Sequence, residues 1–346
     1  MIKVAFICPI LCSASLMLYG GIRPVQALPL QTPMEFAANL NLPASEEALP
    51  GNNSTDSKIF SLQPRYDADR PRSLFWMPMM SLMLPGMDQW WERQFPSAGL
   101  YTGMAIGGAC LGFSNTRWLG WSDPDEAENP KDRDAATATK RSLWGFQLYY
   151  NAGGLSAYHS FRTAVETHRG QGEFSFLKHA ETADELLLAP LRVPFLLRPT
   201  TFVPLGLYAG FALVMSRRSD TRGLQPVDYA YTAGLSLNAG VGEEALYRGW
   251  LMPYMMEVSD NPYLSNLGQA TLFAAYHVPM MRIVPVWQFV MGLYFGWLVQ
   301  YREWTLAETV FLHFWWDIIA FGIAFLTDTD RTSNINIVLP IFVTRI

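Results

Sequence analysis

The sequence at residues 242–250 is Gly-Glu-Glu-Ala-Leu-Tyr-Arg-Gly-Trp, and the rest of the chain is most easily understood from this stretch. It places two adjacent carboxylates, Glu243 and Glu244, and the guanidinium of Arg248 within a long apolar region. Charge is costly in hydrocarbon, so ionisable residues in membrane helices usually face the interior of a bundle and mark function. The stretch therefore predicts a buried polar site among packed helices.

Two later apolar runs carry the other polar groups of this predicted site. Residues 273–277 read Phe-Ala-Ala-Tyr-His and residues 313–317 read His-Phe-Trp-Trp-Asp, so each run presents one imidazole, His277 or His313. Positions four apart share a helix face, which places Asp317 on the face of His313. A lone buried histidine or a lone Glu–Arg pair is more often structural, but their coincidence in three apolar runs favours a single site. The remaining histidines are interpreted as structural: His159, His168 and His179.

The two adjacent carboxylates are predicted to have different partners. On an α-helix Glu244 and Arg248 are one turn apart and can pair, whereas Glu243 points about 100° away around the axis. One carboxylate can then be held by the arginine while the other stays available for chemistry.

The composition indicates a membrane protein and excludes several other classes. Of 346 residues, 50% are hydrophobic and only 16% are charged, whereas soluble domains carry roughly 25% charged residues. The net charge of −5 gives no reason to expect nucleic acid as a partner. Two of the three cysteines precede residue 13, in a predicted targeting segment, so Cys110 alone remains and no internal disulfide is expected.

The chain divides into five predicted segments. Residues 1–27 resemble a secretory signal peptide, with an uncleaved first span as the alternative, and residues 28–72 are a polar, disordered arm. Residues 73–189 are interpreted as membrane-associated helices and polar loops, residues 190–326 as the helical domain that holds the site, and residues 327–346 as a tail.

The predicted fold class is all-α, a polytopic transmembrane helical bundle. Residues 74–87 are predicted to form a re-entrant or interfacial helix, and residues 114–142 a polar loop. Residues 143–165 form either a polar second span or an amphipathic helix at the surface. The remaining predicted spans are 98–113, 200–216, 228–256, 264–280, 283–300 and 304–326.

The chemistry that these residues favour is the activation of water. A general base needs a pKa near neutrality, and a glutamate in a low-dielectric pocket beside a second carboxylate has its charged form disfavoured. Glu243 is the predicted base. Two imidazoles from other helices can position the water, donate to the oxyanion or protonate the leaving amine. Asp317 can orient His313 or bind the oxyanion in neutral form.

Three motifs in this order resemble the CPBP family, which comprises type II CAAX prenyl endopeptidases and bacteriocin-processing enzymes. The motifs are Glu-Glu-x-x-x-Arg at 243–248, Phe-x-x-x-His at 273–277 and His-x-x-x-Asp at 313–317, and the resemblance covers residues 190–326. It implies an all-helical intramembrane glutamic protease. Asp317 departs from the pattern, because asparagine is commoner there and an ionised carboxylate repels an oxyanion.

The resemblance also implies a role for each site residue. Glu243 would activate the water, Glu244 and Arg248 would support it, His277 would position the water, and His313 with Asp317 would stabilise the oxyanion. The expected enzyme is a multi-pass protein of the bacterial inner membrane that lies in the lipid bilayer, cleaves a peptide or membrane-protein substrate and needs no cofactor.

Two alternatives remain open from the sequence. His277, His313 and a carboxylate could bind zinc, although the chain has no His-Glu-x-x-His pair, which disfavours a metalloprotease. The fold could also serve a non-catalytic membrane scaffold or immunity-type protein, a reading that Asp317 favours.

Overall fold

The computed structural model describes residues 72–114, 131–169, 172–216, 226–281 and 285–327. All regular elements within these ranges are helical, which confirms the predicted all-α class. The α-helices are α1 (Trp76–Met83), α2 (Met87–Trp91), α3 (Phe95–Ser114), α4 (Lys131–Arg169), α5 (Ala183–Leu188), α6 (Pro199–Ser216), α7 (Pro226–Asn238), α8 (Met252–Ser259), α9 (Pro262–Met281), α10 (Val286–Tyr301) and α11 (Ala307–Thr327). Two 3₁₀ helices, Ala189–Leu191 and Val193–Leu197, connect α5 to α6.

Most of the predicted spans coincide with helices of the structure. Helices α3, α6, α9, α10 and α11 cover the segments predicted at 98–113, 200–216, 264–280, 283–300 and 304–326. No helix in the described ranges combines the length and hydropathy of a bilayer-crossing segment. The predicted signal peptide, nearly all of the predicted arm and all but the first residue of the predicted tail lie outside the described residues.

The centre of the bundle is a long helical segment whose middle is π-helical. Helix α7 continues through two π-helical segments, Ala239–Glu243 and Ala245–Leu251, into α8. Every residue from 238 to 253 is buried. The regular α-helix predicted over 228–256 is therefore wrong in its middle. A π turn closes its hydrogen bond on the fifth residue rather than the fourth, and such turns are frequent at functional sites.

Close contact between α4 and the π-helical segments depends on glycine. A Cβ built on Gly242 would lie 1.9 Å from Oδ1 of Asn151, and a Cβ on Gly154 would lie 2.5 Å from the Gly242 carbonyl oxygen. Neither position leaves room for a larger side chain, so α4 lies directly against the backbone that carries the two glutamates.

One expectation for the segment before this contact was wrong, and one of two alternatives is contradicted. Residues 131–142, predicted as part of a polar loop, are the first turns of α4, because alanines and charged residues there are good helix formers. Residues 143–165 are not a helix lying on the surface. Every residue from 151 to 165 is buried, because α1, α3 and the π-helical segments pack around α4.

Charged side chains fix the start of α11, which carries one of the two imidazoles. Glu181 accepts hydrogen bonds from the backbone N–H groups of Leu306 and Ala307, the orphan donors at a helix N-terminus. Burial raises the pKa of the Glu181 carboxyl, and these two N–H donors oppose that rise. Glu308 is buried and pairs with Arg198 and Arg302, which ties α11 to α6 and to the end of α10.

Candidate active site

Glu244 is the centre of the polar network in the bundle. Nη1 of Arg248 donates to Oε1 of Glu244 at 3.0 Å, and Nδ1 of His313 donates to the same oxygen at 2.8 Å. Both Glu244 and Arg248 are completely buried. The pair predicted from the four-residue spacing is thus formed within the π-helical region, and α11 contributes the imidazole.

The guanidinium of Arg248 is held from three sides. Besides Glu244, its Nη2 donates to the carbonyl of Gly292 at 3.4 Å, and its Cζ lies 4.4 Å from the centre of the Phe273 ring. A cation over an aromatic face is attracted by the ring quadrupole. The first residue of the Phe-x-x-x-His motif therefore stabilises the arginine of the Glu-Glu-x-x-x-Arg motif.

Glu243 faces a different neighbour. Its side chain is 3% exposed, and Oε1 accepts one long hydrogen bond, 3.4 Å, from Nε2 of Gln147 on α4. The two adjacent carboxylates consequently have different partners. Glu244 accepts hydrogen bonds from a guanidinium and an imidazole, whereas Glu243 accepts one long hydrogen bond from an amide.

His277 lies beside the network without joining it. Its Nδ1 donates to the backbone carbonyl of Phe273 at 2.7 Å, so Nε2 of the neutral ring is free to accept a hydrogen bond. The imidazole packs against the Phe273 ring, 4.7 Å between centroids. Among the described residues His277 makes no hydrogen bond or ion pair to either glutamate.

Asp317 lies next to the second histidine. Its Oδ2 is 3.7 Å from Nε2 of His313, and its side chain is 19% exposed. His313 therefore lies between two carboxylates, with Glu244 on Nδ1 and Asp317 near Nε2.

The zinc ligand set considered from the sequence can be compared with the positions of the described side chains. No group of three His, Cys, Asp or Glu side chains within the described ranges is arranged as a ligand set. His277 uses Nδ1 for a backbone carbonyl and His313 uses Nδ1 for Glu244.

Several residues near the glutamates were not predicted from the sequence. Gln147 and Asn151 on α4 are one helical turn apart, and Tyr150 stacks on Tyr276 at 4.9 Å while its hydroxyl lies 3.3 Å from that of Tyr247. The spacing of polar groups and glycine at 147, 151 and 154 is the signal that could have marked the buried face of α4.

A comparison with protein families finds a similarity in the segment that carries the site. Residues 226–319 match the family model described as type II CAAX prenyl endopeptidase Rce1-like. This segment is similar to Rce1-like domains. The match confirms the resemblance to the CPBP and CAAX protease family, and the family is one of proteases. Neither the curated proteins nor the solved structures contain a match to the chain.

The matched segment begins at the start of α7 and ends two residues after Asp317. All six residues predicted for the site lie inside it, and α4 lies outside it. Gln147 and Asn151 therefore reach the glutamates from a part of the chain that the family model does not cover.

Proposed function

We propose that the protein is an intramembrane endopeptidase that hydrolyses a peptide bond of a peptide or membrane-protein substrate through a water activated by Glu243. The observation that carries the proposal is the different bonding of the two buried carboxylates. One oxygen of Glu244 accepts from both Arg248 and His313, while Glu243, 3% exposed, has one long contact, from Gln147, among the described residues. A weakly bonded carboxylate in a water-poor site is suited to remove a proton.

The reaction needs three actions from this site. Glu243 accepts a proton from water as the water oxygen attacks the carbonyl carbon of the peptide. The C=O electron pair moves to the oxygen, and the resulting oxyanion must be stabilised by hydrogen-bond donors. When the C–N bond breaks, the leaving nitrogen takes the proton from Glu243. His277, whose Nε2 is available, is proposed to position the water.

Asp317 is proposed to serve His313 rather than the oxyanion. An ionised carboxylate can only accept hydrogen bonds, so it cannot stabilise a developing negative charge. Its distance of 3.7 Å from Nε2 of His313 instead favours orientation of that ring. This reading accounts for aspartate at the position where the resemblance leads one to expect asparagine.

The proposed location in a membrane is supported by the exposed surface of the helices. Leu207 on α6 is 72% exposed and Leu197 on the adjoining 3₁₀ helix is 83% exposed. Further large apolar side chains are exposed on the same part of the chain: Leu191, Val193, Phe202, Val203, Leu213 and Val214. Large exposed apolar side chains in this number on one helix and the segment before it are typical of a surface that contacts a membrane or a partner. The bacterial inner membrane and a multi-pass topology remain part of the proposal.

The test compares the membrane proteome of cells that carry the wild-type protein or Glu243→Gln. The expected result is at least one cut near a membrane boundary that occurs only with the wild type, at equal protein abundance. Glu257→Gln is the matched control, because Glu257 lies on α8 and accepts a hydrogen bond from the backbone N–H of Phe174, which glutamine can keep. It should leave every cut in place.

Two further measurements, one in cells and one with purified protein, separate the alternatives. A Glu243→Gln protein that fully replaces the wild type in a deletion strain would favour the non-catalytic scaffold. Cleavage by purified protein after complete metal removal with a chelator would exclude the zinc enzyme, and loss of cleavage that zinc restores would favour it.

A further inference from the structure

A buried carboxamide next to the proposed base has no partner. Asn151 is 2% exposed, and neither its Nδ2 nor its Oδ1 has a hydrogen-bond partner among the described residues. Leaving a buried polar group unpaired destabilises the folded state, and such a group in a native protein calls for an explanation. A ligand that supplies the missing hydrogen bond is one such explanation.

The position of Asn151 points to the reacting centre. Its side chain occupies the space beside Gly242, the residue before Glu243, where a Cβ would meet Oδ1 at 1.9 Å. Gln147, one turn earlier on α4, donates to Oε1 of Glu243. Side chains four apart on a helix are about 5–6 Å apart, so Asn151 faces the same region as the proposed base.

The other strong donors around the glutamates are partly in use. Nη1 of Arg248 donates to Glu244 and its Nη2 to the Gly292 carbonyl. Nδ1 of His313 donates to Glu244, and Asp317 lies at its Nε2. The Nε–H of Arg248 is also buried without a partner among the described residues, but its guanidinium is tied to Glu244 and Gly292, whereas neither polar atom of the Asn151 amide is committed.

We propose that Asn151 binds the oxyanion of the tetrahedral intermediate, so that α4 completes the active site of the matched segment from outside it. The inference rests on the proposed function. As the water oxygen bonds to the carbonyl carbon and Glu243 takes the proton, the C=O electron pair moves to the oxygen. The Nδ2–H of Asn151 donates to that oxygen until the C–N bond breaks and the carbonyl re-forms.

The experiment uses the full-length protein in lipid and two variants of similar size. The probe is a fluorescence-quenched synthetic peptide that spans a cut found only with the wild type in the comparison with Glu243→Gln. Asn151→Leu removes both polar atoms, and Asn151→Asp removes the donor but keeps the acceptor. Both should lower kcat by about 10²–10³, the usual loss of one oxyanion donor, and change KM by no more than about threefold, because the donor acts in the transition state.

Stability separates this role from a structural one. Asn151→Leu should leave the thermal midpoint equal or raise it, because it removes an unpaired buried amide. Ser156→Ala is the control on the same helix. The Ser156 hydroxyl donates to Gln89 and accepts from the Gly86 N–H, so its loss should lower the midpoint and leave kcat within about twofold.

Two outcomes overturn the inference, and they differ in what else they overturn. In the first outcome, the wild type cleaves the peptide and Asn151→Leu keeps kcat within about twofold of the wild type, as a substitution outside the site would. The oxyanion role is then wrong and the proposed function stands. If the wild type and Glu243→Gln give identical cuts, the proposed function fails and this inference fails with it.

Discussion

At the scale of single residues, Arg248 shows how the bundle tolerates buried charge. Its guanidinium is fully buried and donates hydrogen bonds to Glu244 and the Gly292 carbonyl, with Phe273 against one face. Removing one partner of a buried ion pair leaves an uncompensated charge, which costs far more than replacing both partners. The pair is thus a strong test of whether the described network exists.

We predict that Arg248→Met destabilises the protein by about 3–5 kcal/mol. The double variant Arg248→Met with Glu244→Gln should recover part of this loss, because it leaves no unpaired carboxylate. Thermal unfolding in one detergent measures both midpoints. A double variant that melts at or below the single one would show that the two side chains are not partners.

Gln147 provides a prediction about the base itself. Its amide donates to Oε1 of Glu243, and a hydrogen bond to a carboxylate favours the ionised form. With leucine at this position the base should stay protonated to a higher pH. The acidic limb of kcat/KM against pH should therefore move to higher pH in Gln147→Leu.

Gln147→Glu supplies the graded comparison for that experiment. It places a third carboxylate beside Glu243, and a like charge also disfavours ionisation, so the limb should move further in the same direction. An acidic limb at the same pH in wild type and both variants would contradict the contact between Gln147 and the base.

At the scale of elements, the helices were predictable and their packing was not. Apolar runs bounded by Asp260-Asn261-Pro262 and Tyr301-Arg302-Glu303 place the ends of helices α8 to α11 well, because Oδ1 of Asn261 caps α9 and Glu303 has a positive φ of 53°. The π-helical turns carry no such mark. They arise in a stretch that is in close contact with α4 and α11, and residue propensities alone do not predict such tertiary contacts.

The same limit applies to the candidate site. Glu244, Arg248, His313 and Asp317 were placed together by spacing and by the order of the motifs, since residues one turn apart share a face. Gln147 and Asn151 come from a helix about 100 residues earlier, and the sequence shows only that they share a face with Gly154. Their contact with the glutamates depends on the tertiary approach of α4, which no local signal encodes.

The element-scale prediction concerns this approach. Gly242→Ala would place a methyl group 1.9 Å from Oδ1 of Asn151 and should destabilise the protein by about 1–3 kcal/mol, the usual cost of overpacking. Gly99→Ala on α3 is the matched control, because a Cβ there meets no atom within 4 Å. It should raise stability by about 0.5–1 kcal/mol. Equal thermal midpoints for the two variants would refute close packing of α4 on the π-helical segments.

At the scale of the whole molecule, the polar network and the exposed apolar surface require different surroundings. Charged groups of the site lie at the buried centre, and large apolar side chains lie on the outside of α6 and its neighbours. This arrangement suits a bundle surrounded by hydrocarbon, since lipid contacts replace water on the outer face while the polar groups bond to one another.

Cys110 on α3 allows that arrangement to be tested directly. It is exposed, and the neighbouring exposed apolar residues Ile106 and Phe113 lie on the same helix. In the full chain with Cys8→Ser and Cys12→Ser, we predict that Cys110 in leaky membrane vesicles reacts with a charged maleimide at least about tenfold more slowly than in denaturing detergent, because a charged reagent does not enter the bilayer core.

The control is Lys178→Cys in a chain that also carries Cys8→Ser, Cys12→Ser and Cys110→Ser. The Lys178 side chain is 60% exposed and pairs with Glu303, so a cysteine there should react readily in both conditions. If Cys110 reacts as fast in vesicles as in detergent, the outer face of α3 lies in water. The intramembrane proposal would then fail for this part of the bundle.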